Sequence, residues 1–293
     1  MASNQTKVFC FHRVSDEISP AYPPIPLKVF DKICKYLSRN YEIIHPYAIF
    51  DKKQSKKIKA IITFDDAYLD FYENALPILE KYKIPVIQHV ITACAESGKP
   101  FWTQKLNKII DNYYESHQPI KFEPLNINKR LKNKGETEQV ALNIYKNLLS
   151  NSHRVQFIEE LEGNLKSKVK HTKMMTWEQI KEVASENVVI GSHTHSHSNL
   201  SELSKEKLTE ELLKSKELIR VNLPEQETLF LAYPNGQFNE KSVKTAKECG
   251  YDAAFTTEEQ SFHTETNKFQ IPRYLVYHNK WWKNYVRLKI QIK

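Results

Sequence analysis

Two short stretches of this chain carry residue types that do chemistry together. In the first, Asp65 and Asp66 follow the apolar run Ile61-Ile62-Thr63-Phe64, so two carboxylates leave a buried strand side by side. Adjacent side chains on a strand point to opposite sides, which lets one bind a metal while the other faces a reacting group. An Asp-Asp turn capping the next helix is the competing use of the same pair. In the second, Gly191-Ser192-His193-Thr194-His195-Ser196-His197, three histidines alternate directly after an apolar strand. If this segment is extended, neighbouring alternate histidines share a face about 6.5 Å apart, as in a His-x-His ligand pair. If it coils into one helical turn, His193 and His197 meet and His195 points away. An exposed histidine cluster is the third reading.

Such residues need a scaffold that gathers strand ends. Short apolar, β-branched or aromatic runs occur at 8–12, 60–64, 85–92, 188–190, 228–233, 253–257 and 275–277. Helical patterning lies between them at 29–38, 72–82, 177–184, 205–221 and 240–249, with Gly250 ending the last. This alternation predicts a parallel barrel or a doubly wound sheet, in which functional residues collect at the carboxyl ends of strands. Asp65-Asp66, the histidine run and Pro234-Asn235-Gly236 all stand there, and His12 closes the first strand in the same way. From about 99 to 173 the strand signal vanishes, and lysine-rich helical patterning at 138–149 and 155–165 takes over. The reading is one catalytic domain, 1–293, carrying a helical insertion at about 99–173 that flanks the active-site mouth and shapes substrate choice.

Composition narrows the class. With 293 residues and 40% hydrophobic content a substantial core can form, and six glycines exclude collagen-like and flexible-linker compositions. Cys10, Cys34, Cys94 and Cys249 are scattered, without a CxxC pair, and read as buried free thiols. The net charge of +8 raises nucleic acid or an anionic membrane as partner. Its lysines are spread over helix faces rather than gathered beside stacking aromatics, so the reading is no nucleic acid. No basic segment followed by a long hydrophobic stretch opens the chain, and no apolar run approaches the roughly 18 residues that span a bilayer. As given it reads as cytoplasmic, or extracytoplasmic had a leader been trimmed. Trp281-Trp282, between Lys280 and Lys283, leaves open a peripheral membrane contact, a sugar platform or a docked terminal helix.

Thr63-Phe64-Asp65-Asp66, then His193-Thr194-x-x-His197, then Ala232-Tyr233-Pro234-Asn235-Gly236, in that order, resemble the first three motifs of the polysaccharide deacetylase family, carbohydrate esterase family 4 or the NodB-homology domain. The resemblance covers roughly residues 7–99 and 174–278. It implies an α/β fold, a distorted (β/α) barrel of about seven strands, and one divalent metal held by Asp66, His193 and His197. That metal is expected to be zinc, with cobalt, nickel or manganese as alternatives, and the ligand set selects the coiled arrangement of the histidines. Asp65 is implied as general base and the backbone N–H of Asn235 as donor to the oxyanion.

Three departures from the family pattern matter. Ala67 stands where glycine is usual, the arginine of the third motif falls on Ala232, and the fourth motif has no clear copy. Ile271-Pro272-Arg273 resembles a variant branch in which a later Pro-Arg fills the missing arginine's place, making Arg273 the expected tether of Asp65. His278, in Leu275-Val276-Tyr277-His278, is the nearest copy of the fifth motif's general acid. His12, Tyr233 and Trp102 are the expected substrate contacts, with core packing as the rival role for His12 and anchoring of the insertion for Trp102. The implied reaction removes N-acetyl groups from an amino sugar in a surface polysaccharide or its lipid- or nucleotide-linked precursor, so the partner is an acetamido-sugar glycan or glycolipid. A small-molecule amide or imide hydrolase and a catalytically weak glycan-binding module are the alternatives.

Overall fold

The run Val8-Phe9-Cys10-Phe11 is buried at every residue, which a strand achieves only in a sheet covered on both faces. In the computed structural model, which describes residues 5–149 and 153–290, such strands assemble into the larger of two units. In chain order the elements are β1 (Gln5–Phe11), α1 (Leu27–Asn40), β2 (Glu42–Ile43), β3 (Lys59–Phe64), α2 (Leu76–Lys81), β4 (Val86–Val90) and α3 (Thr92–Ser97). Then come α4 (Trp102–Glu115), β5 (Ile120–Phe122), β6 (Ile127–Lys129), α5 (Lys134–Leu148) and α6 (Arg154–Gly163). The chain continues with α7 (Trp177–Val183), β7 (Val188–Ser192), α8 (Lys205–Asn222), β8 (Phe230–Ala232), α9 (Glu240–Glu248), β9 (Ala253–Phe255), β10 (Phe262–His263), β11 (Tyr274–Leu275) and α10 (Trp281–Ile290).

The sheet of the larger unit runs β10-β1-β3-β4-β7-β8-β9, with β11 also paired to β1 and β2 to β3. Every pairing along it is parallel except β1 with β10. It curls into the (β/α) barrel architecture. Residues 268–275 carry the chain from one edge to the other. Ile271 N donates to Ala254 O (2.9 Å) and Thr256 N to Ile271 O (2.8 Å) on the β9 side, while Tyr274 and Leu275 pair with Phe9 and Cys10 on the β1 side. Pro272-Arg273 therefore stands at the seam.

Side-chain alternation sets the layers. Val8, Ile61, Ile87, Val189, Phe230, Ala253, Phe255 and Ile271 fill the interior, while Phe9, Ile62, Val86, Ile190, Leu231 and Ala254 pack toward the helices. Two residues further along each inward column come Cys10 and His12, Thr63 and Asp65, His89, and Gly191 and His193. The register pairs Cys10 with Thr63 and His89 with Gly191, so these columns end at neighbouring places. The helix predicted at 72–82 is a wide turn, Phe71–Ala75, leading into α2. Pro77 has no N–H to donate to the preceding turn, which opens it.

The smaller unit comprises Asp16–Pro24 and Lys99–Lys173. Its core joins Leu106, Ile109 and Tyr113 of α4 to Val140, Ile144 and Leu148 of α5. Asn133 caps α5 by accepting from Glu136 N (3.0 Å). It also holds a hairpin, Ile120 to Phe122 against Ile127 to Lys129, whose three-residue strands are too short to show alternation in a sequence. Asp111 draws the 16–24 segment in, accepting from Ser19 Oγ (2.6 Å) and Ala21 N (2.8 Å), and Lys108 pairs with Glu17. All four cysteines are buried thiols outside any disulfide. No helix among the described residues is long and apolar enough to cross a membrane.

Candidate active site

The inward column of β3 ends in Asp65, and the chain then leaves the strand through two left-handed residues, Asp66 (φ 76°) and Ala67 (φ 61°). That turn corrects the expectation that the two carboxylates face opposite sides. Both approach His193 Nε2, Asp66 Oδ1 at 3.4 Å and Asp65 Oδ2 at 4.0 Å. The left-handed Ala67 also explains why glycine suits this position.

The histidine run bends in the same manner. Thr194 (φ 66°) and His197 (φ 58°) are left-handed, so the segment forms a kinked loop rather than the helical turn considered for it. The loop brings the His193 and His197 rings to 4.9 Å and sends His195 to Thr92, Nδ1 to Oγ1 at 3.0 Å. Thr92 N and Ala93 N donate to the carbonyls of Thr194 and His195, fixing the bend.

Asp66, His193 and His197 each offer a ligand atom, all within 4.8 Å of one another. His193 Nδ1 lies 2.8 Å from Ala232 O. A carbonyl only accepts, so Nδ1 carries the proton and Nε2 turns its lone pair toward Asp66, the tautomer a metal ligand needs. His197 Nε2 is 3.7 Å from the same Asp66 oxygen, which is buried without a hydrogen-bond partner. Donors about 2.0–2.1 Å from a tetrahedral ion stand roughly 3.3 Å apart, close to these spacings. Burial pushes the His193 pKa down to about 4 and that of His197 well below the imidazole range, so both are neutral. Burial and the Asp65 charge push the Asp66 carboxyl well above its usual range, so an ionised Asp66 needs a countercharge. The donor set fits a divalent cation.

Asp65 is held differently. Arg273, fully buried at the seam, makes a bidentate pair with it, Nη1 to Oδ1 and Nη2 to Oδ2, both at 2.8 Å. The guanidinium is aimed by Thr63 Oγ1 (3.2 Å) and Thr256 O (2.9 Å). His89 Nδ1 adds a contact to Oδ1 at 2.8 Å, and the Cys10 thiol lies 3.5 Å from Oδ2. Burial alone would raise this carboxyl's pKa, but the Arg273 charge and the hydrogen bond from His89 hold it well below the ordinary range, so Asp65 is ionised.

His12 is half-buried at the end of β1, with a ring nitrogen within 4.8 Å of the Cys10 thiol and the Asp65 carboxylate. Asn235 is left-handed (φ 56°) in the Pro234–Gly236 turn just beyond β8. Gly236 is obligatory there, because it has φ 67° and a Cβ would stand 1.9 Å from Thr257 Oγ1. The two other expected substrate contacts are each held by neighbours of their own. Tyr233 is buried, donates to Phe269 O (3.0 Å) and stacks on Phe238, so it props its loop from beneath. Trp102, in the smaller unit, stacks on Tyr145 (5.5 Å) with the Arg154 guanidinium 4.7 Å from its ring. His278 has its backbone tied to Asn284 and lines a groove with Lys7, Tyr274, Trp282 and Arg287, which contains none of Asp65, Asp66, His193 or His197. His89 escaped the sequence reading, and its only signal was a polar pair, Gln88-His89, inside an otherwise apolar run.

The strand ends of the barrel thus present a carboxylate-and-two-histidine cluster, with donors that fit a divalent cation, beside a tethered aspartate. The polysaccharide deacetylase family profile matches residues 52–254, more than half of the chain, and the chain belongs to that family. Among curated relatives it is 25% identical over 255 residues to the putative polysaccharide deacetylase YxkH of Bacillus subtilis, covering 85% of this chain and 64% of that protein. It is 26% identical over 238 residues to the poly-beta-1,6-N-acetyl-D-glucosamine N-deacetylase of Staphylococcus aureus, covering 78% of this chain and 58% of that one. The chain thus spans about three fifths of the length of these relatives. Among solved structures, the Streptococcus pyogenes deacetylase PplD in complex with acetate superposes with a TM-score of 0.67 at 18% identity, covering 99% of this chain and 98% of that one. IcaB from Ammonifex degensii does so with a TM-score of 0.61 at 19% identity, covering 99% and 98%. At these identities the likeness is one of fold.

Proposed function

We propose that this chain is a metal-dependent carbohydrate N-deacetylase that hydrolyses the acetamide of N-acetylglucosamine units in a surface polysaccharide. The carrying observation is the ionised Asp65, pinned by Arg273, beside the three converging donors of Asp66, His193 and His197. A glycan-binding module needs no such oriented carboxylate. The named activity of the Staphylococcus aureus relative makes β-1,6-linked poly-N-acetylglucosamine the first substrate to test.

Asp66, His193 and His197 would hold the cation, which when bound supplies Lewis-acid polarisation and a water of lowered pKa. Asp65 takes the proton from the attacking water. Its Oδ1 already accepts from Arg273 and His89, whereas Oδ2 accepts from Arg273 and only weakly from the Cys10 thiol, so Oδ2 is the oxygen open to that proton. The left-handed turn at Asn235 supplies a backbone N–H for the oxyanion, and half-buried His12 lines the substrate side.

The test is acetate release from β-1,6-linked N-acetylglucosamine oligomers by the zinc-loaded protein. Asp65→Asn should retain metal and fold and lose about 10²- to 10⁴-fold in turnover. Turnover close to wild type in a metal-loaded Asp65→Asn protein would remove Asp65 as base.

A further inference from the structure

We propose that His89 is a second positioning residue for the base, one that selects which oxygen of Asp65 accepts the proton; this rests on the reading of Asp65 as base. His89 lies on the inward column of β4, is fully buried, and packs its ring 5.4 Å from Phe255. Its Nδ1 stands 2.8 Å from Asp65 Oδ1, and its Nε2 is buried without a hydrogen-bond partner. A neutral imidazole bonded through one nitrogen to an ionised carboxylate donates from that nitrogen, so Nδ1 carries the hydrogen and Nε2 is bare. Oδ1 then has both lone pairs engaged, by Arg273 and by His89. Oδ2 accepts from Arg273 and from the Cys10 thiol at 3.5 Å, a weak donor that yields to a stronger one, so the remaining capacity is on Oδ2, the oxygen 4.0 Å from His193 Nε2 and hence on the side of the three-donor cluster.

The sheet makes room for this contact. Gly191 is the register partner of His89, and a Cβ there would stand 2.3 Å from His89 Cδ2. A side chain opposite His89 would push the ring off its present line to Asp65. Arg273 alone grips both oxygens alike, since its two contacts are of equal length. His89 breaks that symmetry.

His89→Asn and His89→Leu form an isosteric pair, the first keeping a donor near the place of Nδ1 and the second keeping none. With zinc content and melting temperature matched, His89→Leu should lose about 10- to 100-fold in kcat at little change in KM, and His89→Asn should recover most of that loss. Equal turnover in the two variants overturns the proposal. The Asp65→Asn protein, assayed beside them, reports on the base itself, so a failure of that reading is seen separately. A second measurement needs no turnover. In nitrogen-15 spectra of the wild-type protein, His89 should appear as the neutral tautomer protonated at Nδ1, with a downfield proton that moves in Asp65→Asn. An Nε2-protonated His89 also overturns the proposal.

Discussion

Arg273 reaches Asp65 across 208 positions of sequence and opposes the burial that would otherwise keep the carboxyl protonated. Removing it leaves burial dominant, so Asp65 becomes harder to ionise. Arg273→Ala is expected to bind metal and to move the acidic limb of kcat/KM to higher pH, and an acidic limb at its original position would show that Arg273 does not tune the base. The histidine run gives a second residue-level test: His197→Ala should lose most bound zinc, whereas His195→Ala should keep it, because the His195 ring goes to Thr92. These four residues, Asp65, Asp66, His193 and His197, were legible because each follows an apolar run and so marks a strand end. His89 was not, because a polar residue inside a buried run faces either the interior or the helices, and only the register decides which. Tyr233 misled for a related reason: its motif neighbours reach the surface of the site, while alternation turns its own ring into the core.

At the scale of elements, the strand pair β4–β7 and the helix α4 each carry a test. Gly191→Ala should place a methyl group against His89, lowering stability by about 1–3 kcal/mol through overpacking and lowering kcat with zinc content preserved. Wild-type turnover in that variant would mean that the ring has other room. On α4, burial raises the Asp111 carboxyl from 3.8 to about 6 despite its bonds to Ser19 and Ala21. A raised folded pKa means that the native chain binds the proton more tightly, so the stabilisation is full below the unfolded pKa and is lost as pH rises through about 6. At about 1.36 kcal/mol per unit this amounts to roughly 3 kcal/mol. Urea midpoints measured between pH 4 and pH 7 should fall more in the wild type than in Asp111→Asn, and parallel profiles would count against the assignment. The order of barrel elements followed from strand-helix alternation, but the 16–24 segment's place in the smaller unit did not. It depends on Asp111 and Lys108, whose side-chain contacts leave no periodic trace.

For the whole molecule, a cation bound by Asp66, His193 and His197 joins two strand ends, those of β3 and β7, so it should stabilise the fold by mass action. A zinc excess of 100-fold over its dissociation constant contributes about 2.7 kcal/mol, visible as a melting temperature that falls by a few degrees on chelation in the wild type and is insensitive to chelator in His197→Ala. The barrel seam carries a different consequence, one of order in time. The three cation donors are all present once the chain has reached residue 197, but the guanidinium that aims the base arrives only at residue 273, when 268–275 bridges β9 and β1. Capturing a metal and becoming able to use it are therefore separate events in the life of a chain. A chain halted during synthesis between residues 197 and 273 should take up zinc and release no acetate, and a halted chain that takes up no zinc would show that the seam must close first. Until the seam closes, the three donors stand beside a carboxylate that no guanidinium aims, and what separates the two states is the position of one arginine near the end of the sequence.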